Sequence, residues 1–310
     1  MLHQNSNRAY TIQQAILGQC IGDSLGNYIV KQNIAPDTLW QKYAQTQSLP
    51  YKKASLSVYS KHTCTILDIW KETSNNIPLF IQRISTQIKQ ENSHTLLCRA
   101  LQNQQAFHTP DIEMSIHMGP LATCIDDAST MLSTVYALTI LGNTHPQSIA
   151  SSLIYGAFCW NLAQEKQLPQ EEVFQTILTW QQASHTPHIT GEMIWNFQQA
   201  IYIANQYTIA DMLEFTASVN SSSEIIMPST QNSLGLLPLL LIAAEPEFSF
   251  SSIVSWGGDL ALLLGLKGCI LGLQHSIPTW LTESVTSHKS IQKYLVTEPQ
   301  YSQLSLFEDL

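Results

Sequence analysis

Two acidic residues stand in short glycine-rich motifs near opposite ends of this chain, and they are the first candidates for chemistry. Asp23 lies in the segment GDSLG, and Asp259 follows the paired glycines Gly257 and Gly258. A carboxylate can ligate a metal ion, act as a general acid or base, or cap a helix. Because apolar runs follow Asp259 and the pair Asp126-Asp127, the sequence predicts that these acids cap the helices that begin there.

The segment GDSLG also fits the G-x-S-x-G pattern of a nucleophilic serine and is similar to the first motif of the GDSL esterases. That chemistry needs a strand before Ser24 and a histidine with a partner acid elsewhere. The residues before Ser24 have a helical pattern, and His145 lies in mid-chain without an aspartate three residues before it. The sequence therefore disfavours an esterase.

Glycines recur at helical spacing around both motifs. They are Gly18, Gly22 and Gly26 in one set and Gly265, Gly268 and Gly272 in the other. Each set falls on one face of a helix. A helical glycine costs up to about 1 kcal/mol relative to alanine, so a stripe of three indicates that another backbone comes close. We therefore expect residues 11–26 and 257–275 to pack side by side in the core. The alternative is that each stripe only admits bulky neighbours.

Apolar residues recur at helical spacing along almost the whole chain, and alternating strand-like runs are nearly absent. The predicted helices cover 11–22, 60–73, 78–90, 95–105, 128–141, 146–165, 170–182, 190–206, 208–214, 233–244, 251–256 and 259–275. No internal repeat or low-complexity linker divides them. We therefore expect an all-α, single-domain fold over residues 1–281 and a partly irregular C-terminal extension over 282–310.

Composition disfavours several classes of protein. Only 12% of the residues are charged and the formal net charge is -9, whereas a nucleic-acid-binding protein presents clustered Lys and Arg. The six cysteines are scattered without a CxxC pair, which predicts neither a disulfide framework nor a zinc site. The longest apolar run contains Asp259 and Lys267, and the first residues lack the apolar core of a secretory signal. We expect a cytoplasmic protein that binds neither nucleic acid nor membranes.

Four segments, in order along the chain, resemble the signature segments of the ADP-ribosylglycohydrolase family, which includes the dinitrogenase reductase-activating glycohydrolases. They are GDSLG at 22–26, IHMGPL at 116–121, LGNTHPQSI at 141–149 and the glycine-rich stretch at 257–280. The second resembles the family's Met-Arg-x-x-Pro-Leu segment, with His117 in place of the arginine. The match runs over nearly the whole chain. It implies a helical ADP-ribosylglycohydrolase-like fold and, in an intact member, hydrolysis of ADP-ribose N- or O-glycosidic linkages.

Members of this family hold two magnesium ions with an early Thr-Asp-Asp-Thr segment and a late Asp-x-Asp-Thr segment. Magnesium prefers near-octahedral oxygen ligands, so two ions need several carboxylates. Here SKHT at 60–63 stands in place of the early segment. In the late segment Asp259 is retained, but Ala261 and Leu262 occupy the other two positions. The resemblance therefore implies that most magnesium ligands are lost, and we expect neither a metal nor another cofactor.

The resemblance also implies which residues surround the former metal site. The candidate ligand-binding residues are Lys61, His62, His117, Gly257, Gly258 and Asp259, and the candidate catalytic residues are Asp23 and Asp259. A lysine and two imidazoles beside one carboxylate would make this site neutral or positive without a metal.

Two questions about this site stay open in the sequence. Lys61 either replaces the lost cation by pairing with Asp259 or points to solvent, because lysine is rarely buried unless paired. Imidazoles suit zinc or iron better than magnesium, so His62, His117 and Asp259 could hold another metal. Histidines satisfied by hydrogen bonds are the commoner outcome.

The sequence thus predicts a degenerate ADP-ribosylglycohydrolase-like protein that lacks catalysis. Its expected partner is ADP-ribose, another phosphate-bearing small molecule or a protein. The alternative is an active ADP-ribosyl hydrolase with an altered or metal-free site.

Overall fold

The fold is all-α, as the sequence predicts. A computed structural model describes residues 2–32, 56–91, 93–109, 111–164, 170–184, 259–275, 277, 279–286 and 289–293. The helices are α1 (Leu2–Gln32), α2 (Val58–Thr73), α3 (Ile77–Gln87), α4 (Leu96–Asn103), α5 (Ser115–Thr123), α6 (Ala128–Gly142), α7 (Pro146–Ala163), α8 (Gln170–Ser184), α9 (Leu260–Gln274), α10 (Thr279–Thr286) and α11 (Lys289–Gln292). A 3-10 turn, Ile88–Gln90, continues α3. No strand occurs within these ranges.

Most predicted helices in the described ranges are found close to their expected limits, but two differences stand out. Helix α1 extends well beyond the predicted 11–22 at both ends. The sequence missed α5, in which every residue is buried and Pro120 lies inside the helix. A helix buried on all sides has no apolar periodicity, so the pattern gives no signal for it. The helices predicted at 190–206, 208–214, 233–244 and 251–256 lie outside the described residues.

Acidic side chains begin two of these helices as predicted. Asp259 Oδ1 accepts a hydrogen bond from the backbone N of Leu262 at 3.0 Å, which caps α9. Asp127 Oδ2 accepts from the backbone N of Thr130 at 2.7 Å and caps α6 in the same way. Each cap satisfies a backbone donor that the first helical turn leaves without a partner.

The centre of the fold is an antiparallel pair formed by α1 and α9, whose backbones touch. The residues in contact are Gln14 with Gly272, Gly18 with Gly268, Gly22 with Leu264 and Gly26 with Leu260. A Cβ added at Gly18 would lie 2.0 Å from the carbonyl oxygen of Gly268, and one at Gly268 would lie 2.0 Å from that of Gly18. No side chain fits in such a contact, so the predicted packing of the two glycine stripes is confirmed.

Gly265 has a different neighbour from the rest of its stripe. A Cβ there would first meet the side-chain end of Ile116, in α5, at 2.8 Å. The line of closest approach along α9 therefore runs through Leu264 and Gly268. Gly265 lies beside this line and faces α5.

The remaining helices pack around this pair through one hydrophobic core. The C-terminal segment takes part in it, because Val285 and Ile291 are fully buried and Lys293 forms an ion pair with Asp68 of α2. The boundary expected after Leu281 falls inside α10. In the part of the chain that the structure describes, no helix is long and apolar enough to cross a membrane.

Candidate functional site

Three segments that are distant in sequence meet around Asp259. They are the first turn of α2, the start of α9 and the segment that leads into α5. Tyr59, in the first turn of α2, donates its hydroxyl to Asp259 Oδ2 at 2.8 Å. The charges of Asp111 and Glu113, from the third segment, act on Tyr59, and that of Asp259 acts on Glu113. We call Tyr59, Asp111, Glu113 and Asp259 the Asp259 site.

Each carboxylate oxygen of Asp259 already has a donor from the protein. Oδ1 accepts from Leu262 N, and Oδ2 accepts from the Tyr59 hydroxyl. Burial, followed by the negative charges of Glu113 and Asp259, raises the pKa of the Tyr59 phenol. The phenol therefore keeps its proton and remains a donor to Asp259. Asp259 therefore caps α9 and links it to α2.

Glu113 is a strongly perturbed acid in the Asp259 site. Its Oε1 accepts from the backbone N of Leu96 at 2.6 Å, at the start of α4. Burial raises the pKa of Glu113 to about 8, and the charges of Asp111 and Asp259 act in the same direction. At neutral pH this carboxyl group therefore carries its proton in most molecules.

Backbone hydrogen bonds to the end of α6 fix the segment that carries the two acids. Phe107 N donates to Gly142 O at 2.9 Å, and Thr144 N donates to Phe107 O at 2.8 Å. The buried Asn143 adds a side-chain bond from Nδ2 to Thr109 O at 2.8 Å. Asp111 Oδ1 then accepts from Glu113 N at 2.6 Å. These bonds hold an irregular segment in place without a sheet.

Lys61 and Asp259 do not form an ion pair. The Lys61 side chain is exposed, and the bonds of Asp259 go to Tyr59 and Leu262. The sequence left two alternatives for Lys61, and the structure favours the one in which its side chain points to solvent. Beside Asp259, the charges that act on Tyr59 are those of the acids Glu113, Asp259 and Asp111.

His62 is fully buried and is satisfied by the protein. Its Nε2 lies 2.8 Å from Glu91 Oε2, and its Nδ1 lies 3.2 Å from Thr95 Oγ1. A neutral ring with the proton on Nε2 can donate to Glu91 and accept from Thr95. Burial lowers the pKa of His62, although the nearby Glu91 opposes this shift. His62 therefore fastens α2 to the segment between α3 and α4.

His117 lies in α5 and belongs to a second buried chain of hydrogen bonds. Gln19 Nε2 donates to Thr63 Oγ1 at 2.8 Å, and Thr63 Oγ1 lies 2.9 Å from His117 Nδ1. Because Thr63 accepts from Gln19, its own proton is directed to Nδ1 of the imidazole. Burial lowers the pKa of His117 to about 3, with a smaller contribution from His62. The ring is neutral near pH 7 and joins α1, α2 and α5.

Asp23 lies in the interior between α1 and the start of α2. It is fully buried, and its Oδ2 accepts from Ser57 N at 3.1 Å. Burial raises the pKa of Asp23 to about 6, although Ser57 and Ser60 lower it. The neighbouring Ser24 lies in the middle of helix α1, with no strand before it. This geometry is not a nucleophile elbow, in agreement with the expectation from the sequence.

The residues at these positions do not fit the magnesium pair of the family. Two hard cations need several carboxylate ligands, whereas Asp259 is the one carboxylate at these positions, and the imidazoles of His62 and His117 are hydrogen-bonded within the protein. Among the described residues, no group of three or more His, Cys, Asp and Glu side chains could hold a metal ion. Gly257 and Gly258 lie outside the described ranges.

Tyr59, Asp111 and Glu113 were not identified from the sequence. Tyr59 stands just before the SKHT segment, and both acids stand just before IHMGPL. Each residue is therefore a close neighbour of a segment in which the sequence predicts site residues. The resemblance concerns the positions of the family's metal ligands and gives no signal for these neighbouring residues. The signal in the sequence that could have identified this site is the pair of acids, Asp111 and Glu113, in a polar segment between two apolar segments.

A scan against protein-family models and a search of curated proteins both find no match to this chain. The resemblance described above therefore rests on its motifs and their order alone.

Proposed function

We propose that this protein has an ADP-ribosylglycohydrolase-like architecture without the family's magnesium chemistry, and that it binds ADP-ribose or another phosphate-bearing small molecule in the cytoplasm. One observation carries the proposal. The side chains at the family's ligand positions are engaged by the protein itself: Asp259 by Tyr59 and Leu262, His62 by Glu91 and Thr95, and His117 by Thr63. Such a site can bind a ligand, but it lacks the ligands for two activating cations.

The charges of the Asp259 site favour one orientation of such a ligand. Asp111 and Asp259 would repel a phosphate placed beside them, whereas carboxylates accept hydrogen bonds from the hydroxyl groups of a ribose. We therefore expect sugar hydroxyls to face Asp259 and the phosphates to lie further away. The exposed Lys61 is one cation that could approach them.

Calorimetric titration with ADP-ribose, together with an assay for its release from an ADP-ribosylated protein, tests this function. We expect saturable binding without turnover, and weaker binding by Asp259→Asn. Asp127→Asn is the matched control, because Asp127 also caps a helix but lies outside the Asp259 site. Release that disappears in Asp259→Asn would overturn the non-catalytic proposal. If the protein neither binds ADP-ribose nor releases it, a protein partner is favoured instead.

One observation favours the alternative, a metal-free ADP-ribosyl hydrolase. Glu113 carries a proton near neutral pH while Asp259 lies nearby, and a carboxylic acid beside a second carboxylate is the arrangement used in general acid catalysis of glycoside cleavage. In that case Glu113→Gln would abolish release of ADP-ribose but preserve its binding. The release assay therefore distinguishes the two functions.

Magnesium gives a second test of the proposal. A ligand that binds only the native state raises apparent stability by about 2.7 kcal/mol at a hundredfold excess over its Kd. We expect the thermal unfolding midpoint to be the same in millimolar magnesium chloride and in calcium-free, magnesium-free buffer of equal ionic strength. A clear upward shift with magnesium that is lost in Asp259→Asn would contradict the proposed loss of the metal site.

A further inference from the structure

Arg99, in α4, is an exposed cation whose guanidinium group has no acidic partner in the part of the chain that the structure describes. The chain contains three arginines, Arg8, Arg83 and Arg99. Arg83 is paired with Glu72 at 2.6 Å. Within the described ranges, the guanidinium of Arg99 forms neither an ion pair nor a hydrogen bond, and its side chain is exposed. Its N–H donors are therefore available to a ligand.

An aromatic ring holds this guanidinium group in place. Arg99 Cζ lies over the Phe107 ring, 4.8 Å from its centroid, which is within the range of a cation–π contact. Phe107 packs against the hydrophobic core, and its backbone is hydrogen-bonded to Gly142 and Thr144. A cation–π contact uses the charge of the guanidinium but none of its N–H donors. Arg99 is thus positioned by the protein while its donors stay unused.

Glu113 connects Arg99 to the Asp259 site. Glu113 Oε1 accepts from Leu96 N at 2.6 Å, and Leu96 lies one turn before Arg99 in α4. Long side chains on a helix lean toward its N-terminus, so Arg99 extends over the turn that Glu113 contacts. Burial raises the pKa of Glu113 to about 8, and the hydrogen bond from Leu96 and the charge of Arg99 oppose this shift. Arg99 therefore lies at the edge of the Asp259 site.

The two parts of this region differ in charge. Asp111 and Asp259 supply negative charge and hydrogen-bond acceptors, whereas Arg99 supplies positive charge and donors. Glu113 does not neutralise Arg99, because it carries its proton in most molecules at neutral pH. A guanidinium group binds a phosphate through two parallel N–H···O bonds. A ligand that joins uncharged hydroxyl groups to a phosphate therefore matches both parts.

We propose that Arg99, held against Phe107, binds the diphosphate of ADP-ribose, or the phosphate of a similar small molecule, at the edge of the Asp259 site. This inference rests on the proposed function and adds to it the residue that binds the phosphate. Lys61 is a poorer candidate, since no contact among the described residues fixes its side chain. Ordering a free lysine side chain on binding costs conformational entropy, whereas Arg99 is already positioned.

An NMR titration of the isotope-labelled protein with inorganic diphosphate tests this anion site without ADP-ribose. The spectrum contains few side-chain Nε–Hε signals, because the chain has three arginines. The signal that is missing from Arg99→Lys belongs to Arg99. We expect diphosphate to shift this signal saturably and to leave that of Arg83 nearly unchanged. An unmoved Arg99 signal, or equal shifts of all the arginine signals, would overturn the inference.

Calorimetric titration with ADP-ribose measures the contribution of Arg99 to affinity. We expect Arg99→Gln to weaken binding by about tenfold or more, since charge-assisted hydrogen bonds to phosphate are strong. Arg99→Lys should recover only part of the affinity, because a lysine cannot form the two parallel bonds. Arg83→Gln is the matched control, with the same change of residue and charge, and should bind as the wild type does. Circular dichroism checks that each variant is folded.

The two titrations separate this inference from the proposed function. ADP-ribose binding that is equally tight in the wild type and in Arg99→Gln would overturn the role of Arg99 and leave the proposed function intact. A diphosphate-induced shift at Arg99 in a protein that does not bind ADP-ribose would support the anion site and contradict ADP-ribose as the ligand.

Discussion

We expect Gly268→Leu to destabilise the protein by several kcal/mol, which is a large part of the 5–15 kcal/mol that typically separates folded from unfolded domains. The Cβ of any side chain at this position would lie 2.0 Å from the carbonyl oxygen of Gly18. Both atoms belong to the helix backbones or are fixed to them, so no rotamer change relieves the overlap. Helices α1 and α9 must separate, and their separation disrupts the centre of the core.

Gly268→Ala tests the same contact with the smallest side chain. Alanine has a helix propensity about 1 kcal/mol better than glycine, so a destabilised Ala variant shows that the steric contact outweighs it. Gly265→Ala is the matched control in the same helix, because its Cβ first meets the flexible end of Ile116 and then nothing nearer than 3.6 Å. We expect this control to change stability by at most about 1 kcal/mol.

Chemical denaturation of the three variants, followed by circular dichroism, measures these effects. Gly268→Leu and Gly268→Ala should unfold at clearly lower denaturant concentration than Gly265→Ala. If Gly268→Ala is as stable as the wild type, the close approach of α1 and α9 is wrong.

The second large effect is expected from Glu113→Gln at alkaline pH. Glu113 has a pKa of about 8 in the folded protein, against an ordinary value of 4.5. The folded state thus holds this proton more tightly than the unfolded state, and stability falls as the pH rises from about 4.5 through 8. A shift of this size corresponds to roughly 5 kcal/mol at full burial, and to a few kcal/mol for a half-buried side chain.

Glutamine resembles the protonated acid and keeps an oxygen that can accept from Leu96 N. We therefore expect the variant to match the wild type near pH 5 and to exceed its stability by a few kcal/mol at pH 9. The pKa values of His62 and His117 are lowered in the folded protein, so these residues reduce its stability at pH values under about 6.5. Between pH 6.5 and 9, the change of stability with pH therefore mainly reports Glu113.

Glu72→Gln is the control for this experiment, because Glu72 is an exposed acid paired with Arg83. Urea unfolding of the three proteins at half-unit intervals of pH gives the comparison. The wild type and Glu72→Gln should lose stability together with rising pH, whereas Glu113→Gln should stay level. Parallel curves for all three proteins would show that Glu113 is not a perturbed acid.

The features that depend on neighbouring residues were predictable from the sequence. Helix propensity, apolar periodicity and caps act within a few turns, which is why the all-α fold and the capping roles of Asp127 and Asp259 were predictable. The contact between the two glycine stripes was also predictable, although it joins distant segments. Glycines at i, i+4 and i+8 destabilise an isolated helix, so their spacing indicates that another helix packs closely against them.

Tertiary structure alone decided what surrounds Asp259 and how each polar side chain is satisfied. The bond from Tyr59 to Asp259 joins residues 200 positions apart, and no local pattern encodes it. The pKa of Glu113 depends on burial and on the charges of Asp111 and Asp259, of which Asp259 comes from a distant segment. Lys61 faces solvent because its position on α2 directs it outward. Hydrogen bonding and desolvation act between groups that only the folded chain brings together, so residue types can propose a site but cannot assign its charge.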